Sequence, residues 1–390
     1  MGKYLRKPEK RRSNVFLRIL MGLLTLAVSV VSIVVTVGVL LSMAQNMGDP
    51  GNAAQSSSGS AAIMDKYDMF VTNEISDALD GILSVPKSYW LSDEDLVAPE
   101  PDQSKFGSTE DPATLQWLLD DAAELLEGQT TYFSTEAKLM PGTKVNYYLD
   151  ETILAITWKE IHDYTVYTFS EVKIAHPSQF RRFLAGGEYG SEKQFITTEM
   201  AASVNAVVAS SGDFYRFRDH GTSVYAGTVH RVNGEYADTC YIDDMGDLHF
   251  TYAGKMLDVE SAQKYVDENN IRFSLAFGPI LVDNGERCEP NWYPVGEIEE
   301  EYARAALCQM DKLHYLMVAA NNEGQYQNVP NIHTFAKRIH ETGCKMAYAL
   351  DGGQTAAIAM NDQLINRVVY GYQRKISDII YFATAVPDGG

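Results

Sequence analysis

Gly343-Cys-Lys-Met-Ala-Tyr-Ala-Leu-Asp-Gly-Gly-Gln-Thr355 joins a helix stop, an apolar strand and a glycine turn around one carboxylate. Upstream, Ile332, Phe335, Ala336 and Ile339 recur at helical spacing, so a helix is expected over Asn331 to Thr342, with Gly343 as its left-handed stop. Met346 to Leu350 reads as a short buried strand. Asp351 then falls at its carboxyl end, where Gly352 and Gly353 let backbone amides approach a ligand. An ordinary Asp-Gly turn has the same local signature, so the rest of the chain must separate the two readings.

Outward from this turn, strand signals dominate from Asn146 onward. Alternation marks Thr152–Trp158 and Tyr164–Ala175, and a helix is expected over Lys193–Ala206. Val207–Ser210 runs into Gly212-Asp213. Hairpins are expected over 225–236 around Asn233-Gly234, over 239–252 around Met245-Gly246, and from Ala303 to Ala320 across Asp311-Lys312. Ser261–Asn269 reads as a helix and Phe273–Val282 as one strand ending at Asp283. Ala356–Met360, Leu364–Val369 and Asp378–Val386 complete the strands. Many of these strands pair locally, which predicts an α+β fold: a mixed, largely antiparallel sheet with flanking helices, preceded by one transmembrane helix.

The transmembrane helix is read from the N-terminus. Lys3, Arg6, Lys7, Lys10, Arg11, Arg12 and Arg18 lead into an apolar run ending at Met43. That run exceeds the ~20 residues needed to span a bilayer. Basic residues on its N-terminal flank place the tail in the cytoplasm and the body outside. The expected organisation is a basic tail over 1–18, an anchor over 19–43 and a flexible linker over 44–63. A helical stalk or cap follows over 64–147, with expected helices at Tyr67–Leu83 and Pro112–Leu126, and then the main domain over 148–390.

The chain's net charge is −20, and its first 43 residues hold seven of the 32 basic side chains and one acidic one. The remainder therefore carries −26, more acidic than the whole, which argues against nucleic acid as a partner. Cys240, Cys288, Cys308 and Cys344 show no zinc spacing, the histidines form no metal motif, and no metal or cofactor is expected. A nucleophile elbow, a phosphate-binding Walker loop and a dinucleotide fingerprint are absent. The sequence sets no oligomeric state.

Three carboxylates follow apolar strands: Asp213, Asp283 and Asp351. If their strand ends converge, a pair of them suits glycoside cleavage. Arg216, Arg304, Arg367 and Arg374 are candidates for holding an anion, since a guanidinium matches phosphate geometry. His220, in Asp219-His220-Gly221, is the histidine nearest these features in sequence.

An ordered set of segments carries a family resemblance: Val204-Asn-Ala-Val-Val-Ala-Ser-Ser-Gly-Asp-Phe-Tyr215, Phe277-Gly-Pro-Ile-Leu-Val-Asp-Asn-Gly285, Ala303-Arg-Ala-Ala-Leu307, Gly343 to Gln354, Asn366-Arg367 and Arg374-Lys-Ile-Ser-Asp378. Together, from about Leu149 to Val386, they resemble the phosphodiester glycosidases. The basic tail, single anchor and external body are similar to its bacterial, exopolysaccharide-related members. The resemblance implies a hydrolase that acts on a sugar-1-phosphodiester in a cell-surface glycan. It assigns Asp351 and Asp213 to catalysis, and Arg304, Arg374, Gly352, Gly353, Gln354 and Asn366 to substrate binding. The chain departs from the family pattern at Gln354-Thr355-Ala356-Ala357, where small hydroxyl residues are usual, and at Asn321-Asn-Glu-Gly324, where an Asp-Gly pair is usual. A non-catalytic polysaccharide-binding or assembly protein on the same scaffold is the alternative.

Overall fold

The computed structural model describes residues 91–92, 95–290, 293 and 298–387. The expected basic tail 1–18, membrane span 19–43, linker 44–63 and Tyr67–Leu83 helix lie outside the described residues. Among the described residues, no helix is long and apolar enough to cross a membrane.

Two sheets build the frame. The larger has nine strands in the spatial order Phe106–Thr109, Val145–Leu149, Ile153–His162, Thr165–Ile174, His314–Asn321, Arg304–Asp311, Met346–Leu350, Ile280–Asp283 and Glu286–Arg287. The second has five, in the order Gln363–Leu364, Ile358–Met360, Val208–Ser211, Asp378–Phe382 and Phe180–Leu184. A three-stranded sheet (Thr239–Asp243 between Leu248–Thr251 and Ile271–Leu275) and a two-stranded one complete the set. The α+β class holds, but every strand pairing among the described residues is antiparallel rather than mixed.

All ten residues of Thr165–Ile174 are buried, because both faces of the large sheet are covered. Side chains alternate across a strand, and the two alternating sets enter different cores. Tyr167 and Phe169 join Trp158, Ala306 and Ala349 under the helix Ile332–His340. Val172 and Ile174 join Leu307, Tyr348 and Leu350 against Val208, Ile358 and Ile380 of the five-stranded sheet. Behind that second sheet, the helix Thr197–Ser203 packs Met200 and Ala201 onto Ile379 and Tyr381.

Several expectations differ from the structure for local reasons. The hairpin placed around Asn233-Gly234 turns at Ala226-Gly227 instead, where both residues have positive φ. Gly234 answers a different need: a Cβ there would sit 2.1 Å from the Met256 carbonyl oxygen. The single strand expected over Phe273–Val282 is two strands in two sheets, because Gly278 at φ +75° and Pro279 break the extended run. Leu364–Val369 pairs only at Leu364. Within the expected stalk or cap, Phe106–Thr109 and Val145–Leu149 pair into the large sheet. The helical stripe Leu115, Leu118, Ala122 and Leu126 was legible, and it packs into the main core beneath that sheet.

Candidate active site

The glycine turn closes on the neighbouring strand. Ala305 pairs with Leu350, so Arg304 lies across from Asp351 at the ends of adjacent strands. Gly353 donates its amide to the Ala303 carbonyl at 2.6 Å. A Cβ on Gly352 would stand 2.5 Å from the same oxygen, so this close approach requires glycine. Thr355 Oγ1 donates to the Gly352 carbonyl at 2.6 Å and fixes the far side of the turn.

The two sheets meet here. The Asp351 amide donates to the Gly212 carbonyl at 3.2 Å, joining the end of Met346–Leu350 to the end of Val208–Ser211. Beside this junction lies a cavity of about 170 Å³, lined by Arg218, Phe277, Tyr302, Ala303, Arg304, Ile332, Asp351, Gly352 and Gly353 among others. Asp351 is half-buried, and its Oδ2 has no hydrogen-bond partner. Burial pushes its carboxyl up to about 6, against the opposing pull of the Thr355 hydroxyl and the Arg374 and Arg218 charges. A carboxylate held near neutrality with an oxygen to spare is equipped to accept a proton.

Asp213 has the same local signature and a different occupation. Its Oδ1 accepts from Arg182 Nη2 at 2.7 Å and from the Tyr215 amide at 2.9 Å, and its Oδ2 accepts from the Ala276 amide at 2.7 Å. Arg182 also donates to Asp378 Oδ2 from Nε at 3.0 Å and from Nη2 at 2.8 Å, and to the Ser274 carbonyl. All three charged groups are buried. Burial alone opposes the Arg182 charge, but the flanking Asp213 and Asp378 carboxylates outweigh it and raise its pKa. Burial, with Asp213 alongside, pushes the Asp378 carboxyl up against the pull of Arg182. Asp213 therefore lies next to the Asp351 turn but not in the cavity lining, with both oxygens engaged in holding two sheets together.

The cations divide in the same way. Arg304 lies over the Tyr302 ring at 5.2 Å and donates to the Glu300 carbonyl at 2.6 Å, forming one cavity wall. Arg374 is exposed and lies over Phe214 and Phe217, 5.2 and 5.9 Å from their centroids. Arg218, which the sequence reading passed over, lies over Phe214 and Phe277 at 5.7 and 5.3 Å. Phe214, at φ +64°, is thus a ring shared by two guanidiniums whose charges both reach Asp351. The only advance signal for Arg218 is its place two residues after Arg216 in an aromatic-basic run. Arg216 itself pairs with Glu192 at 2.8 Å on the surface.

The remaining candidates separate. Gln354 reaches away from the cavity to the Tyr372 carbonyl at 3.2 Å. Asn366 is buried and fully used as a brace: it accepts from the Ile358 amide and donates to the Ala356 and Arg367 carbonyls. It supports the turn that follows Thr355 and does not line the cavity. Asp283 lies beside the opposite end of the Asp351 strand, since Val282 pairs with Ala347, and it accepts from the Tyr252 hydroxyl at 2.5 Å. The expected convergence of three carboxylates is therefore a convergence of two. His220 is not among the cavity residues. Among the described residues, no group of three or more His, Cys, Asp or Glu side chains is placed to hold a metal.

The α+β scaffold thus brings an unpartnered carboxylate oxygen and two arginines together beside the junction of its sheets. Residues 204–383 match the family model of the phosphodiester glycosidases. No curated protein matches the chain. Among solved structures, it is similar to the zebrafish N-acetylglucosamine-1-phosphodiester alpha-N-acetylglucosaminidase catalytic domain auto-inhibited by its pro-peptide. That match has 16% identity and a TM-score of 0.45, covering 59% of this chain and 82% of that one. A hypothetical protein from Synechocystis matches at 13% identity and a TM-score of 0.44, covering 64% of each chain.

Proposed function

We propose that this protein hydrolyses a sugar-1-phosphodiester in a cell-surface or exopolysaccharide glycan, and that it does so as a membrane-anchored enzyme with its N-terminus cytoplasmic and its C-terminal domain extracellular. The anchored topology rests on the basic flank and apolar run of the first 43 residues. The observation that carries the chemistry is Asp351, raised to about 6 with Oδ2 unpartnered beside an arginine-lined cavity.

In this reading Arg218 and Arg374 offset the charge of the phosphodiester. The bond from the anomeric carbon to the phosphate oxygen breaks, and the phosphate leaves with the electron pair. A phosphate monoester is a good leaving group and needs no second carboxyl to protonate it. This fits a site in which Asp213 is already occupied. Asp351 takes a proton from the attacking water as the carbon–oxygen bond forms, then releases it to solvent.

The test is hydrolysis of a methyl α-N-acetylglucosaminyl phosphodiester across pH. With an ionised Asp351 as base, kcat/KM rises through an inflection near 6, and Asp351→Asn lowers it by at least ~10²-fold. Undiminished turnover by the folded variant would refute the assignment. Placement of the C-terminal domain outside the cell is checked by protease accessibility on intact cells.

A further inference from the structure

The segment 363–377 (Gln-Leu-Ile-Asn-Arg-Val-Val-Tyr-Gly-Tyr-Gln-Arg-Lys-Ile-Ser) has three basic residues and no acidic one, in a chain of net charge −20. Arg367, Arg374 and Lys375 are exposed along it. Between them, Tyr370 and Tyr372 are 76% and 65% exposed, and their rings stack at 6.4 Å with an interplanar angle of 28°. Two large rings held in water, side by side, mark a surface kept for a partner.

The backbone beneath these rings is pinned. Gly371 donates to the Val368 carbonyl at 3.0 Å, and Gln354 of the catalytic turn donates to the Tyr372 carbonyl at 3.2 Å. The Gln373 side chain accepts from the Thr198 amide at 3.2 Å and donates to Thr198 Oγ1 at 2.9 Å. Tyr370 is held at φ +66°, ψ 0°, a left-handed conformation that a bulky side chain rarely adopts and that clusters at functional sites. Tyr372 is extended at φ −139°, ψ 144°. Arg374 in turn lies over Phe214 beside the Asp351 cavity. A path therefore runs from the catalytic carboxylate to a cation and then to two stacked rings.

We propose that Tyr370 and Tyr372 are a binding platform for a sugar ring on the far side of the scissile phosphate, and that the substrate is accordingly a polyanionic sugar-phosphate chain. The apolar face of a pyranose matches an exposed aromatic face, while the phenol hydroxyls meet its hydroxyl edge. Arg367 and Lys375 meet the next phosphates of such a chain. This rests on Asp351 being the hydrolytic centre, with Arg374 at the scissile phosphate.

The test compares two substrates: the methyl α-N-acetylglucosaminyl phosphodiester, and a synthetic oligomer of N-acetylglucosamine 1-phosphate. The enzyme is the full chain, wild type or Tyr370→Ala/Tyr372→Ala, with matched thermal midpoints as the folding control. The platform predicts that the double variant loses about tenfold in kcat/KM on the oligomer and is unchanged on the methyl compound. Tyr372→Phe, which keeps the stacking face, retains most of the oligomer activity. Equal losses on both substrates, or none on the oligomer, overturn the proposal. If wild type cleaves neither substrate, the hydrolytic reading has failed. Calorimetric titration with the oligomer then decides the platform alone: binding weakened in the double variant supports it, and equal or absent binding overturns it.

Discussion

Replacing Asp351 with asparagine is predicted to make this protein inactive and more stable. The carboxyl is raised from an ordinary 3.8 to about 6, chiefly by burial, so its ionised form is better solvated in the unfolded chain. For a carboxyl raised in this direction, the stability contribution is fully present below about pH 4 and is lost as pH rises through 6. Two pKa units correspond to about 3 kcal/mol of penalty on the ionised folded state, and partial solvent contact trims this to about 2–3 kcal/mol. The asparagine side chain carries no charge and escapes the penalty. Urea denaturation of wild type and Asp351→Asn at pH 8 should therefore show the variant ahead by about 2 kcal/mol, with the gap shrinking below about 1 kcal/mol at pH 4. A difference that stays constant across this range would mean that burial does not strain Asp351. The physical case for it as the reactive carboxylate would then fall.

Asp213→Asn should act on folding first. It removes one of two carboxylates from a buried guanidinium, a change that costs about 3–5 kcal/mol and appears as a lower denaturation midpoint; an unchanged midpoint would return Asp213 to the list of reactive groups. Gly352→Ala places a Cβ 2.5 Å from the Ala303 carbonyl oxygen, and the resulting shift should cost about 1–3 kcal/mol and most of the activity; a crystal structure with an undisturbed turn would contradict this. Arg218→Ala removes one of the charges that hold Asp351 down, so the inflection in kcat/KM should move above 6. An inflection that stays in place would show that Arg218 does not reach the carboxylate.

The glycine turn was legible because everything that defines it is local. Ile332, Phe335, Ala336 and Ile339 are all buried on one face of their helix, Gly343 ends it at φ +79°, and Met346–Leu350 pairs where its pattern places it. The hairpin that carries Arg304 was legible for the same reason, since its turn lies within its own sequence. Asp213 shows where that kind of reading stops. It follows an apolar strand and a glycine much as Asp351 precedes its glycines, yet its cation, Arg182, comes from another strand 31 residues earlier, and Asp378 joins 165 residues later. Asn366 was misassigned because its three backbone partners become neighbours only once the turn after Thr355 is closed. Arg218 was missed because its position depends on rings at 214 and 277 coming together. Two strand-end carboxylates of like sequence thus acquire opposite surroundings. A buried guanidinium consumes the lone pairs of one, while Oδ2 of the other is buried without a partner and its proton affinity rises. What separates the braced carboxylate from the unpartnered one is the nearest buried cation, and in this fold that cation arrives from a strand that no local pattern links to either acid.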